Sequence, residues 1–351
     1  MSKQLCSTLW EGFDKVIEAR TTLQNLFDRS DQDGLSSDAI ASAIKAFEDQ
    51  KAEYETLLNN SATLPDGTPI YATDYLALCK LAADNGLEAT DVLERLKRNS
   101  FNALRRVSKL EIFNLGLNNI SALRNLTALV RLSLNNNEIV DISPIQNLTN
   151  LTSLSLEYNS IVEIGAIKNL TALGYLQLNN NQIEDIGPVQ NLTNLISLGL
   201  QYNRIVDIDP VNALTGLLYL HLNNNQIVDI HAVQNLTALD WLNLGNNRVV
   251  DLIPIQKLTA LTQLQLYENQ IADISPVKSL TALAYLQLAN NLVVDLRPIQ
   301  NLAALKSLDL DNNQIVDTSP TVHLNPRTLV SCKNNPLSEA SKAILAARRQ
   351  A

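Results

Sequence analysis

Residues able to do covalent or metal chemistry are few in this chain and far apart. The histidines are His221, His231 and His323, and the cysteines are Cys6, Cys79 and Cys332. No histidine precedes residue 221, which excludes a Cys–His or Ser–His pair within the first hundred residues. The cysteines are odd in number and have no ligand-like spacing, so neither a disulfide framework nor a zinc site is expected. Free thiols suit a reducing compartment. There is no phosphate-binding loop, dinucleotide fingerprint or H-E-x-x-H. Asp31-Gln32-Asp33-Gly34 fails as a calcium loop, because Arg29 and Ile40 fall where its first and twelfth positions need carboxylates. The expectation is no enzyme, no cofactor and no metal. A net charge of -9 argues against nucleic acid and against an anionic membrane surface. No stretch approaches the roughly 20 apolar residues of a membrane span. The opening MSKQLCSTLWEGFDKV lacks the apolar run of a cleaved signal. The expected location is the cytoplasm, or a host cell reached by export without a cleaved N-terminal signal.

What the chain does repeat is leucine and asparagine at fixed spacing. From about residue 107 the pattern L-x-x-L-x-L-x-x-N-x-I recurs every 22 residues, first clearly from Leu129 to Ile139. It restarts at Leu151, Leu173, Leu195, Leu217, Leu239, Leu261, Leu283 and Leu305. A degenerate repeat (Leu110, Ile112, Leu117, Ile120) precedes these and a truncated one (Val330, Cys332, Asn335) follows. Alternation in L-x-L is strand periodicity, with the leucines inward. One repeat cannot bury them alone, so repeats must stack. About ten strands then make a parallel sheet on the order of 45–50 Å long.

Two further columns recur with the repeat. The asparagines from Asn137 to Asn335 can satisfy backbone groups that would otherwise cost about 1–3 kcal/mol each, and they are read as scaffold. The carboxylates from Asp141 to Asp317 are read mainly as acceptors for local N–H groups where the chain turns into a convex segment. Pro144, Pro188, Pro210 and Pro254 sit near the start of that segment. Cation binding is the other reading of this column.

The outward strand positions vary, and they carry the candidate site: Tyr175, Tyr219, Trp241 and Tyr285 in one column; Gln177, His221, Asn243, Gln265 and Gln287 in the next; Tyr267 beyond; and Tyr158 and Tyr202 one step later. Exposed Tyr and Trp among amides is the composition of a protein-binding surface. The competing reading is that Tyr suits exposed strand positions in any case.

Residues 1–106 have helical apolar spacing, as in Leu5, Leu9, Phe13 and Val16. Breaks fall at Asp33-Gly34, Pro65-Asp66-Gly67 and Asn85-Gly86. Four helices are expected, the second from about Asp38 to Leu58, with Ser36 or Ser37, Thr73 and Thr90 as caps. Residues 64–71 read as an extended loop. The cluster Arg95, Lys97, Arg98, Arg105 and Arg106 reads as a solvated helix end, or else as a docking patch for an acidic partner. The expected organisation is a helical capping domain at 1–106, a repeat domain at 107–335 and a capping helix at 336–351 that shields the last strand edge.

The repeat resembles the leucine-rich-repeat superfamily. Its length, and the trailing D-I-S-P-I-Q-N-L-T from Asp141 to Thr149, most resemble the internalin and protein-phosphatase-1-regulator class. The resemblance covers about two thirds of the chain. It implies an α/β solenoid, a horseshoe with a parallel concave sheet, here preceded by an all-α N-terminal domain. It also implies a monomeric protein-protein interaction module that binds a partner protein on the concave face. A bacterial source is expected, and the narrower expectation is an effector acting in a host cell. Internalins have a shorter helical cap, a signal peptide and downstream domains, so an invasin role does not carry over. The alternatives are an enzyme with its site in the N-terminal helices, or a structural, self-assembling repeat protein.

Overall fold

Each repeat spends three residues on a strand, and the middle one points inward. The computed structural model describes residues 15–16, 18–22, 37–61, 70, 72–96 and 106–348. Among these are eleven strands: β1 (Lys109–Glu111), β2 (Arg131–Ser133), β3 (Ser153–Ser155), β4 (Tyr175–Gln177), β5 (Ser197–Gly199), β6 (Tyr219–His221), β7 (Trp241–Asn243), β8 (Gln263–Gln265), β9 (Tyr285–Gln287), β10 (Ser307–Asp309) and β11 (Leu329–Ser331). They form one parallel sheet in sequence order. Because the repeats are equal in length, neighbours pair without offset, as Tyr219 with Trp241 and His221 with Asn243. Repeat position therefore becomes column position across the sheet.

The core is the sum of equivalent inward positions. In the second full repeat Leu151, Leu154, Leu156, Ile161, Ile164, Ile167 and Leu170 are all fully buried. Each such side chain contributes roughly 1.5–3 kcal/mol on burial, and only a neighbouring rung can provide the cover.

The turn after each strand has a fixed recipe. One residue takes a left-handed backbone, with φ between 51° (Asn246) and 60° (Asn224). Asparagine, which tolerates that region, stands there in most rungs, while Tyr158, Tyr202 and Glu268 stand there in three. The ladder asparagine comes next. Asn247 is typical: its Oδ1 accepts the Ile227 N–H at 3.0 Å, and its Nδ2 donates to the carbonyls of Leu222 and Leu244 at 3.0 and 3.1 Å. The amide thus ties its own turn to the previous rung, as the scaffold reading expects.

The carboxylate column behaves as local acceptors. Asp141, Asp185, Asp207, Asp229, Asp251, Asp273, Asp295 and Asp317 each accept the N–H two residues on, at 2.7–2.9 Å. A short 3-10 turn follows, and Pro144, Pro188, Pro210 and Pro254 lie at its first or second position. Proline fits there because the first N–H groups of a helix have no internal partner.

The chain divides into two compact units. The first comprises Met1–Ile112 and Leu117–Arg131, so the expected boundary at residue 106 falls inside it. Among the described residues its helices include α1 (Ser37–Ser61), α2 (Ala72–Asp84) and α3 (Ala89–Leu93), and residues 15–16 and 18–22 are helical too. Within this unit α2 packs on the 3-10 turn Ser121–Asn125 of the first repeat and buries Tyr75, Leu78 and Leu81. Beyond its C-terminus Asn85 accepts the N–H groups of Asn118 and Asn119 at 2.8 and 3.0 Å. Asp74 is wholly buried. It accepts the Val107 N–H at 2.7 Å and pairs with the Arg106 guanidinium at 3.0 Å. Arg106 therefore belongs to a satisfied internal ion pair, not to a solvated helix end or an open docking patch. Thr73 lies inside α2 rather than before it. The backbone N–H just before α3 that meets a side chain is that of Glu88, which donates to Asp91 at 3.0 Å, so the cap is Glu88 and not Thr90. Leu5, Leu9, Phe13, Ser36, Lys97, Arg98, Arg105, Cys6 and the segments 31–34 and 65–67 lie outside the described residues.

The second unit comprises Phe113–Gly116 and Leu132–Ala351. It ends in α4 (Glu339–Arg348), which is tied to the last convex turn. The Thr318 N–H donates to Ser341 Oγ at 2.9 Å, and Arg348 donates to the carbonyls of Thr321 and Asn325 at 2.9 and 2.7 Å. Leu329 on β11 remains exposed beside it.

Candidate partner-binding face

Zero-offset pairing turns the third repeat position into a continuous row. Tyr175, Ser197, Tyr219, Trp241, Gln263 and Tyr285 are successive neighbours across β4 to β9. Rungs lie about 4.8 Å apart, so the row runs on the order of 24 Å. Tyr175 and Tyr285, at its ends, are 50% and 44% exposed. Tyr219 and Trp241, near its middle, are half-buried. The fifth position forms the next row: Gln177, Gly199, His221, Asn243, Gln265 and Gln287.

The middle of the face is tightly interlocked. His221 meets Trp241 edge-on, with ring centroids 4.7 Å apart and an interplanar angle of 80°, the arrangement that aromatic quadrupoles favour. Burial holds the His221 pKa below its ordinary value. The imidazole therefore favours its neutral form near pH 7 and packs against Trp241. The Tyr267 ring lies over Gly245, where a Cβ would clash with the ring. A Cβ on Gly199 would land on the Gln177 carboxamide. Burial raises the Tyr267 phenol above its usual range.

Two polar atoms here break the local pattern. In three other rungs the seventh-position side chain accepts an N–H from the next repeat: Asn135 from Glu157 at 2.9 Å, Asn179 from Gln201 at 3.1 Å and Asp311 from Lys333 at 2.7 Å. The matching donor for Asn223 is the Gly245 N–H, but Asn243 Oδ1 takes it at 3.0 Å. Asn223 Oδ1 is thus buried without a partner, as is Trp241 Nε1. Such groups cost about 1–3 kcal/mol each. Departures of this kind cluster at functional sites.

The twelve expected residues do not present themselves equally. Gln177, Tyr219, His221, Trp241, Gln265, Tyr267 and Gln287 are partly exposed, and Tyr175 and Tyr285 more so. Asn243 is only 7% exposed and is spent on Gly245. Tyr158 and Tyr202, 54% and 51% exposed, stand at the left-handed turn position with φ of 54° and 56°. Sequence reasoning passed over Gly199 and Gly245. The readable signal was a glycine at the seventh position one repeat before a tyrosine at the same position. Among the described residues no group of three or more His, Cys, Asp or Glu could hold a metal ion, and no helix is long and apolar enough to cross a membrane.

Comparison with known proteins bears on the repeats. A family model described as Leucine Rich repeats (2 copies) matches residues 149–191, 237–279 and 281–322. A second, Leucine rich repeat, matches 193–249. No curated protein matches the chain. Among solved structures, an internalin of Listeria monocytogenes is 33% identical over 69% of this chain and 85% of its own, with a TM-score of 0.48. Internalin C2 of the same organism is 28% identical over 70% and 92%, with a TM-score of 0.52. A plant peptide hormone receptor, solved in complex with RGF2, shares the fold at 22% identity over 62% of this chain and 38% of its own, with a TM-score of 0.54.

Proposed function

Since the chain belongs to the leucine-rich-repeat family, we propose that it is a non-enzymatic interaction protein whose concave face docks a partner protein. The observation that carries this is the in-register row Tyr175, Tyr219, Trp241 and Tyr285 on adjacent rungs. Aromatic side chains there bury large area at low entropy cost and keep a polar handle. The interlocked middle supports it, because a preorganised surface loses less freedom on binding. The complex of the plant peptide hormone receptor with RGF2 adds that another protein of this fold binds a partner. In this reading the chain acts as a monomer, the N-terminal helices cap the array, and Asn243 shapes the face from beneath.

The test is a comparison of the full chain with its Tyr219→Ala/Trp241→Ala variant as baits, with quantitative mass spectrometry of what each retains. Both side chains point away from the leucine core, although Trp241 packs on His221, so the variant should still fold, with only a modestly lower melting temperature. Proteins held by the wild type and lost by the variant support the proposal. An unchanged set overturns it.

A narrower reading, an effector acting inside a host cell, is supported only by the likeness to Listeria internalins. A translocation assay with the chain fused to a reporter decides it. Signal in the host cytosol supports it, and absence of transfer removes it.

A further inference from the structure

One column of this array is apolar where solvent meets it. The residue between the buried Ile or Val after the ladder asparagine and the carboxylate is valine in most repeats. Val206, Val228 and Val250, on three consecutive rungs, are 56%, 52% and 52% exposed; Glu184 and Ala272 bound this stripe in the same column, and Val140, Val162, Val294 and Val316 repeat the feature beyond them. Each is followed directly by its carboxylate: Asp207, Asp229 and Asp251 for those three rungs. An apolar stripe with a carboxylate stripe along one side is a surface of stated polarity. On the other side Arg204 and Arg248 alternate with Gln226 and Gln270, so only one margin is anionic.

We propose that this flank is a second docking surface, separate from the concave face, and that it takes a basic amphipathic helix of a partner protein. Exposed apolar patches on a folded domain mark interaction sites, and the carboxylate margin selects a cationic occupant. Asp207 and Asp251 spend one oxygen on a backbone N–H at 2.8 Å, leaving the second at the surface. Asp229 is shared with His231 at 3.3 Å. Beside the stripe lies a recess of about 460 Å³ lined by Asp207, Asp209, Gln190, Asn191 and Asn212. Its acceptors suit an ammonium or guanidinium head.

Spacing favours a helix over an extended peptide. The rungs are joined along this flank by backbone bonds, from Arg204 N–H to Ile183 O, Gln226 N–H to Ile205 O and Arg248 N–H to Ile227 O at 2.8–2.9 Å. Their separation is then the usual strand spacing of about 4.8 Å. A helix advances about 5.4 Å per turn, a drift of only about 0.6 Å per rung. An extended chain brings a side chain to one face about every 6.7 Å, a drift of about 2 Å per rung. One helix face can therefore set an apolar residue against each valine, with Lys or Arg on the carboxylate side.

The test uses the full chain and a synthetic 18-residue helical peptide with a leucine face bordered by lysines, read by fluorescence anisotropy. Its control is the same peptide with glutamates for lysines. The lysine peptide should bind and the glutamate peptide should not. The combined Val206→Ser, Val228→Ser and Val250→Ser variant should weaken binding by about tenfold or more, and so should the combined Asp207→Asn and Asp251→Asn variant. The Tyr219→Ala/Trp241→Ala variant should bind as the wild type does. If the serine variant fails to fold, the near-isosteric asparagine variant decides. No binding of the lysine peptide overturns the proposal, as does binding unchanged by either flank variant, or binding lost in the concave variant.

Discussion

Tyr202 carries a bulky side chain on a left-handed backbone, with φ of 56°. That conformation costs a residue other than glycine or asparagine about 1 kcal/mol or more. In most rungs asparagine fills the same position, so the tyrosine is there against local preference, and its ring is left half-exposed. A Tyr202→Asn variant should be more stable than the wild type by about 0.5–1 kcal/mol while binding the partner more weakly. Chemical denaturation together with the capture comparison checks both halves. A variant that loses stability would mean that Tyr202 packs usefully in the free protein. The candidate residues could be named from repeat position, since every second strand residue must face outward. Strain and side-chain interlock could not. Whether Asn243 reaches solvent depends on a competition for the Gly245 N–H, and that is settled only in three dimensions.

At the scale of an element, the turn after each strand ties neighbouring rungs together alongside the three-residue strand itself. Asn247 joins Ile227, Leu222 and Leu244 through one buried carboxamide. Asn247→Ala leaves the Ile227 N–H without a partner, while the Leu222 and Leu244 carbonyls keep the amides of Asn225 and Asn269, a cost of about 1–3 kcal/mol. The variant should lose about 1–3 kcal/mol of stability in urea unfolding; a loss below about 0.5 kcal/mol would show that water or neighbouring groups replace the amide. This ladder was readable from the 22-residue spacing, because a side chain with both donors and an acceptor recurring at a turn has few other uses. The N-terminal elements were less readable. Ion pairing between Arg106 and Asp74 spans 32 residues and leaves no local pattern, so the arginine looked like part of a surface cluster. The cap at Glu88 was missed because its partner Asp91 closes the turn from inside the helix.

For the whole molecule, a solenoid converts sequence period into surface columns, which makes the fold legible and the function only partly so. Leucine, asparagine and aspartate recur for the scaffold. Columns that vary, or that stay apolar in water, are where recognition can lie, and the exposed valine stripe went unnoticed because valine at an extended position draws no attention in a sequence. The central claim is that a partner covers the concave row. Its most direct test is covalent footprinting of the full chain alone and with the captured partner, read residue by residue by mass spectrometry. The concave reading predicts that Tyr175, Tyr219, Trp241 and Tyr285 lose reactivity together on binding while Pro188 and Pro254 on the convex turns keep theirs. Unchanged reactivity of those four aromatics in a saturated complex would contradict it.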